Sequence, residues 1–183
     1  VSDAKVTVSD ADGVAITASE LSDIGSSTTG VVTVTNAVAI TGTAAEVTAA
    51  LVTAGSLVVV SDAAVTITGN PTITELNNIA AKTTGVVTAT LAAASLSDLG
   101  SLDTASTDVI TVTVNDADDT AVTAANLSTL GGKTAGTVTV SNAVVISGDH
   151  DQLTAALVTA GTKVSVSDAK VTVSDADGVA ITA

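Results

Sequence analysis

The 183-residue chain contains no Trp, Tyr, Phe, Met, Cys or Arg, and its five lysines face nineteen acids for a formal net charge of −14. Aromatic rings and guanidinium groups supply most of the large apolar area and bidentate contacts in sites for sugars, nucleotides and nucleic acids, so this composition argues against nucleic-acid binding and against an enzyme acting on such substrates. Without Cys there is no disulfide, and Thr, Ser and Asp interrupt every apolar run short of the roughly 20 residues of a transmembrane segment.

The chain opens on the alternation Val6-Thr7-Val8, turns at Asp10-Ala11 and continues through Val14 and Ile16. β-Branched residues two apart share one face of a strand, which predicts two short strands. Thr17 stands three residues before Glu20, the spacing of a capping box, and Leu21 and Ile24 then share one face of a helix. Gly25 is the expected left-handed stop, and Thr28-Thr29-Gly30 punctuates the end of this first repeat. The second repeat follows the same grammar: Val32/Val34, Asn36-Ala37, Val38/Ile40, Thr43 with Glu46, Val47/Leu51 and Gly55. The third brings Val58/Val60, Asp62-Ala63, Val65/Ile67, Thr72 with Glu75, Leu76/Ile79 and Gly85. At each corner the Asp or Asn is expected to bond its own following backbone.

Residues 86–109 fit less well. Val86-Val87-Thr88 and Leu96/Leu99, with a stop at Gly100, suggest a shortened repeat whose second strand and cap are unclear. The grammar resumes with Val112/Val114, Asp116-Ala117, Leu127/Leu130, Gly131 and Gly136. It then runs through Val138/Val140, Asn142-Ala143, Val144/Ile146, Asp149 with Gln152, Leu153/Leu157, Gly161 and Asp168-Ala169.

Two longer identities organise these repeats. Residues 6–63 align without a gap on residues 112–169, and residues 1–18 return letter for letter as 166–183. The chain therefore reads as a single continuous segment 1–183, one 165-residue period plus an 18-residue overlap, with duplicated blocks 6–63 and 112–169 around an irregular segment 64–111. A repeat of about 25 to 30 residues cannot bury an apolar face alone and must stack on its neighbours. The expected fold class is mainly β: a β-solenoid of parallel rungs, each with two short strands and a short capped helical turn.

Candidate sites are sparse. Asp10 and Asp12 beside Gly13, and their copies Asp116, Asp118 and Asp119, place hard oxygen ligands at a turn and suggest calcium. The match to a calcium loop is incomplete, because Glu20 falls seven residues after Gly13 and the second copy has neither the Gly nor the Glu. The alternative is that these acids shape turns. His150, the only histidine, lies between Asp149 and Asp151 with no visible ligand set or nucleophile, and reads as a residue of a solvated helix cap. Thr7, Thr33, Val59, Thr113, Thr139 and Ser165 form one file, but the neighbouring file Ala15, Ala39, Thr66, Ala121, Val145 and Thr172 is too mixed for a water-ordering threonine array. No catalytic residue and no cofactor beyond calcium is expected.

The phrases ITGTAAEVTAALVTAG, VISGDHDQLTAALVTAG and VTVSDADGVAITASELSDIG resemble the degenerate repeats of giant bacterial cell-surface proteins, especially those of marine cyanobacteria. The resemblance implies an exported, extracellular chain with a structural or adhesive role. The expected function is a structural repeat that builds a fibre, surface layer or matrix by associating with copies of itself. The alternative is a calcium-dependent adhesin stalk that recognises other cell-surface components.

Overall fold

The computed structural model describes residues 3–176 and divides the chain into two compact units, Val1–Leu91 with Asp108–Ile110, and Ala92–Thr107 with Thr111–Ala183.

In the first unit, β1 (Val6–Val8), β3 (Val32–Val34) and β5 (Val58–Val59) form one parallel sheet, with Val6 opposite Val32 and Val32 opposite Val58. A second parallel set runs β2 (Ala15–Thr17), β4 (Ala39–Thr43), β6 (Ala64–Thr68) and β7 (Val87–Thr90). Parallel neighbours require a crossover, and each crossover here carries a helix: α1 (Ala18–Ser26), α2 (Ala44–Val47) continuing into a π-helical turn at Thr48–Val52, and α3 (Ile73–Ala80).

The second unit contains α4 (Leu96–Leu99), β8 (Val109–Val114, of which the first two residues belong to the first unit), β9 (Ala121–Thr123), α5 (Ala124–Gly131), β10 (Val138–Val140) and β11 (Val145–Gly148). It continues through α6 (His150–Leu157), a 3-10 turn at Ala160–Thr162, β12 (Val164–Val166) and β13 (Lys170–Val173). Its strands pair in parallel as β8-β10-β12 and β9-β11-β13.

The expectation of a mainly β chain and a β-solenoid is overturned. Helix accounts for 28% and strand for 29%, which is an α/β fold with parallel sheets and, among the described residues, six α-helices. Every one of these helices begins at a side-chain cap. Thr17, Thr43 and Thr72 each accept the backbone N–H of the glutamate three residues on, and that glutamate returns a bond to the cap's own N–H. These reciprocal bonds hold the carboxyls of Glu20, Glu46 and Glu75 below the usual glutamate range. Nucleation is the costly step of helix formation, so a well-capped start lets α1 run for nine residues and α3 for eight, against strands of two to six.

The interior is built by residues that recur at equivalent positions. Leu21, Ile40, Leu76 and Ile79 are fully buried in the first unit, and Leu127, Ile110, Ile146 and Leu99 also have negligible exposure.

The irregular segment owes its appearance to a change of sheet. Val86-Val87-Thr88 looks like the first strand of a repeat, yet β7 adds to the second-strand set, with Val87 opposite Val65. The buried carboxylate of Asp108 accepts the N–H of Val87 at 2.8 Å. The missing cap is Ser95, whose hydroxyl accepts the N–H of Asp98 at 3.1 Å and donates to its carboxylate at 2.7 Å. The shorter aspartate, in place of the glutamate of the other boxes, is what hid it.

Glycine roles differ from expectation at three helix ends. Gly25 and Gly131 are not left-handed stops: each lies within its helix, and a Cβ on either would collide with a backbone carbonyl, that of Ser56 or of Thr162. They are glycine because the neighbouring repeat's backbone passes too close for a side chain. Gly100 is also right-handed, with φ −59°. Left-handed backbone instead occurs at Gly13, with φ 75°, and at Asp119, with φ 61°, which occupies the equivalent position in the second copy.

Candidate functional site

The corners between strands carry recurring side-chain hydrogen bonds, and the structure brings the two acidic groups to equivalent corners of different units. The Nδ2 of Asn36 donates to the carbonyl of Asp10 at 2.6 Å, and Asn142 repeats this on Asp116 at 2.8 Å. The carboxylate of Asp12 accepts the N–H of Ala37 at 3.0 Å, and that of Asp118 accepts Ala143 at the same distance. These corner side chains thus bond along the stack, to the repeat before or after, while the carbonyls of Asn36 and Asn142 accept the N–H groups of Val38 and Val144 in their own turns. Stacking places each corner directly above the last, so an amide or carboxylate reaches the adjacent chain more readily than it curls onto its own.

The remaining acids of the set have separate partners. One oxygen of Asp116 accepts the N–H of Leu96 at 2.7 Å, and Asp119 pairs with Lys170 at 2.5 Å. The ammonium of Lys170 is held above its usual range by that hydrogen bond. Among the described residues no cluster of three or more His, Cys, Asp or Glu side chains is arranged to hold a metal ion. The residues most suggestive of calcium, Asp10, Asp12, Asp116, Asp118 and Asp119, lie at corners where the carboxylates of Asp12, Asp116 and Asp118 accept backbone amides. A carboxylate oxygen that accepts an amide N–H does the work of a turn acceptor, as the sequence also allowed.

The Thr-x-Gly punctuation has a physical explanation that spacing alone did not reveal. The hydroxyl of Thr28 donates to the carbonyl of Ala4 at 2.5 Å and accepts the N–H of Gly30 at 3.0 Å. Thr83 does the same with Ala63 and Gly85, at 2.6 and 3.0 Å. Gly30 and Gly85 sit so close to those same carbonyls that a Cβ would overlap them. At these two positions the motif is a bracket that ties one repeat to the previous one. Thr53 and Thr159, before Gly55 and Gly161, instead donate to carbonyls of their own repeat, Thr48 and Thr154, and the two glycines have open space around them.

The threonine files change on inspection of register. Thr7, Thr33 and Val59 do align, as do Thr113, Thr139 and Ser165. In the neighbouring file, however, Ala15 and Ala39 are opposite Ala64, and Val145 is opposite Lys170, displacing Thr66 and Thr172 by two positions. Thr66 instead aligns with Thr41 and Thr88.

His150 is better partnered than a solvated cap residue. The carboxylate of Asp175 accepts the backbone N–H of His150 at 3.0 Å and contacts its Nδ1 at 2.8 Å, while Nε2 lies 3.2 Å from Asp151. The Asp175 hydrogen bond raises the imidazole above its usual range and lowers the aspartate below its own. The arrangement clamps the chain just after β13 to the first residue of α6. The aspartate's share is present above its unfolded value of about 3.9 and is lost as pH falls through the depressed folded value. The histidine's share is complete below its unfolded value of about 6.5 and is lost as pH rises through the raised folded value. The clamp is therefore tightest between roughly pH 4 and 6.5. An NMR titration of the His150 ring is expected to give a midpoint above about 6.5, and Asp175→Asn to move it downward; an unchanged midpoint in the variant contradicts the clamp.

A partly enclosed cavity of about 260 Å³ lies in the second unit between α4 and α5, against Leu99, Leu102 and Leu130. Lys133 at its rim is neutralised by Asp103 at 3.0 Å. No helix among the described residues is long and apolar enough to cross a membrane. Searches of known protein families, of curated proteins and of solved structures each return no match to this chain.

Proposed function

We propose that the chain is a structural repeat unit of an extracellular, cell-surface protein, and that it works by associating with copies of itself into a fibre, layer or matrix. In this reading it performs no chemistry of its own. What supports the reading is the recurrence of the same inter-repeat bonds: the Asn36–Asp10 and Ala37–Asp12 contacts reappear as Asn142–Asp116 and Ala143–Asp118. Polar groups that would serve a ligand in a binding module are spent on joining one repeat to the next. The resemblance to giant bacterial surface repeats points the same way, and the net charge of −14 would keep such a chain soluble before it assembles.

Immunogold labelling of intact source cells with an antiserum against this chain is expected to decorate the exterior, and electron microscopy of the purified chain to show extended assemblies. Label confined to the cytoplasm, or particles that stay single at every concentration, overturns the proposal.

A further inference from the structure

Each unit has a sheet edge at which the core is left half-covered. In the first unit Val6 and Val8 are half-buried, although their partners Val32 and Val34 are 0% and 3% exposed. In the second, Val164 and Val166 are half-buried whereas Val138 and Val140 are 0% and 1% exposed, and Val171 rises to 52% against 0% for its partner Ile146. A groove of about 420 Å³ opens between β1, β2 and α1, with Val8, Ile16 and Ile24 in its wall. A groove of about 430 Å³ opens between α6, β12 and β13, with Leu157, Val164 and Val171 in its wall. Both are ends of the same kind of core, between a first strand, a second strand and a helix.

The hydrogen-bond phase of the two edges matches. Inside each unit a valine of an earlier strand donates to the residue just before its partner valine in the next: Val6 to Val31, Val32 to Leu57, Val112 to Thr137, and Val138 to Lys163. Successive residues of a parallel strand turn their backbone groups to opposite sides. With Val6 and Val8 bonded toward β3, Lys5 and Thr7 present theirs outward from β1. With Lys163 bonded to β10, Val164 and Val166 present theirs outward from β12. The outward groups of β12 are those that donate forward at every interior step, and the outward groups of β1 are those that receive.

Charge is matched only in part. The first unit's groove carries Asp10, Glu20 and Asp23. The second unit's edge carries Lys163, while its Lys170 is already paired with Asp119, and Asp168 and Asp175 lie on the same edge.

We infer that the β12–β13 edge of one molecule is the docking surface for the β1–β2 edge of a second copy of this chain, joined head to tail by parallel strand addition, with Val164 N–H donating to the Lys5 carbonyl. This rests on the proposed self-associating function and names its surface. Two complementary edges make a heterologous contact that repeats, so the product is a head-to-tail series of molecules rather than an isologous dimer.

Sedimentation of the full chain over a range of concentrations tests this. Wild type is expected to form a ladder of growing oligomers. Thr7→Pro removes an outward N–H of β1 and Val166→Pro one of β12, and neither touches a bond within its own sheet, so each variant alone should remain monomeric. Mixing them should restore association through the one intact edge of each and stop at a dimer. Ile16→Lys, which places a charge in the half-buried mouth without altering the backbone, should also be monomeric and decides the matter if a proline variant is misfolded by circular dichroism. A proline variant that is folded and still assembles like wild type, or a mixture that stays monomeric, overturns the docking surface while leaving self-association intact. Wild type that is monomeric throughout overturns both.

Discussion

Gly131→Ala is expected to destabilise the second unit by about 3 kcal/mol, the upper part of the range for forcing atoms into a packed site. The group that the new methyl would meet is the Thr162 carbonyl, a backbone atom of the 3-10 turn leading into β12, which cannot rotate away as a side chain would. The neighbouring Gly132 is the internal control. It is right-handed at φ −71°, and the nearest atom to an added Cβ is 3.4 Å away, so Gly132→Ala should leave stability unchanged or raise it by about 0.5 kcal/mol through reduced freedom of the unfolded chain. Urea denaturation of the two variants separates the interpretations. If Gly131 were an ordinary helix-end residue, the two alanines would behave alike.

Leu127→Ala should cost about 3 kcal/mol, since the side chain has no exposed surface and its removal leaves a cavity that the rigid flanking strands cannot close. Its copy Leu21 is buried to the same degree on the equivalent face of α1, so Leu21→Ala should cost a similar amount. Val158→Ala provides the contrast: that side chain is 75% exposed, and its loss should fall within about 0.5 kcal/mol of wild type. Costs for Leu21 and Leu127 that differ by more than about 2 kcal/mol would show that the duplicated sequence does not produce duplicated packing.

Local features were the most legible in the sequence. The cap spacings at Thr17, Thr43, Thr72 and Asp149 mark helix starts, and each of these residues is an observed N-cap. The valine alternations coincide with strands, and equivalent residues of successive repeats stand opposite one another. Caps and alternation act within a few residues, so their physics is contained in a short window. The balance between helix and strand was misjudged for a related reason: a strand is visible by pattern, whereas the length of a helix depends on how far its apolar face finds something to pack against.

The candidate site was legible as composition and not as geometry. Asp10, Asp12, Asp116, Asp118 and Asp119 stood out as acids near a turn, but Asp12, Asp116 and Asp118 accept backbone amides distant in sequence and Asp119 pairs with Lys170, partners that no local spacing announces. His150 illustrates the same limit, since its partner Asp175 lies 25 residues away. Asp108, buried at 3% exposure on the N–H of Val87, carried no signal beyond its position before a strand.

Lys5–Val8 and Lys170–Val173 spell the same four residues, and both form strand. The first joins a set of first strands through β3, and the second joins a set of second strands through β11. What the sequence by itself determined is that KVTV extends, that Thr and Asp cap, and that the pattern recurs at intervals of about 25 residues, because dihedral preference and capping are local. Which sheet the strand enters, which carbonyl excludes a Cβ at Gly131, and which amide an aspartate accepts were decided only by the tertiary structure. Those outcomes depend on the layer already in place, whose open edge and uncovered apolar surface select among conformations that the isolated segment holds at nearly equal free energy.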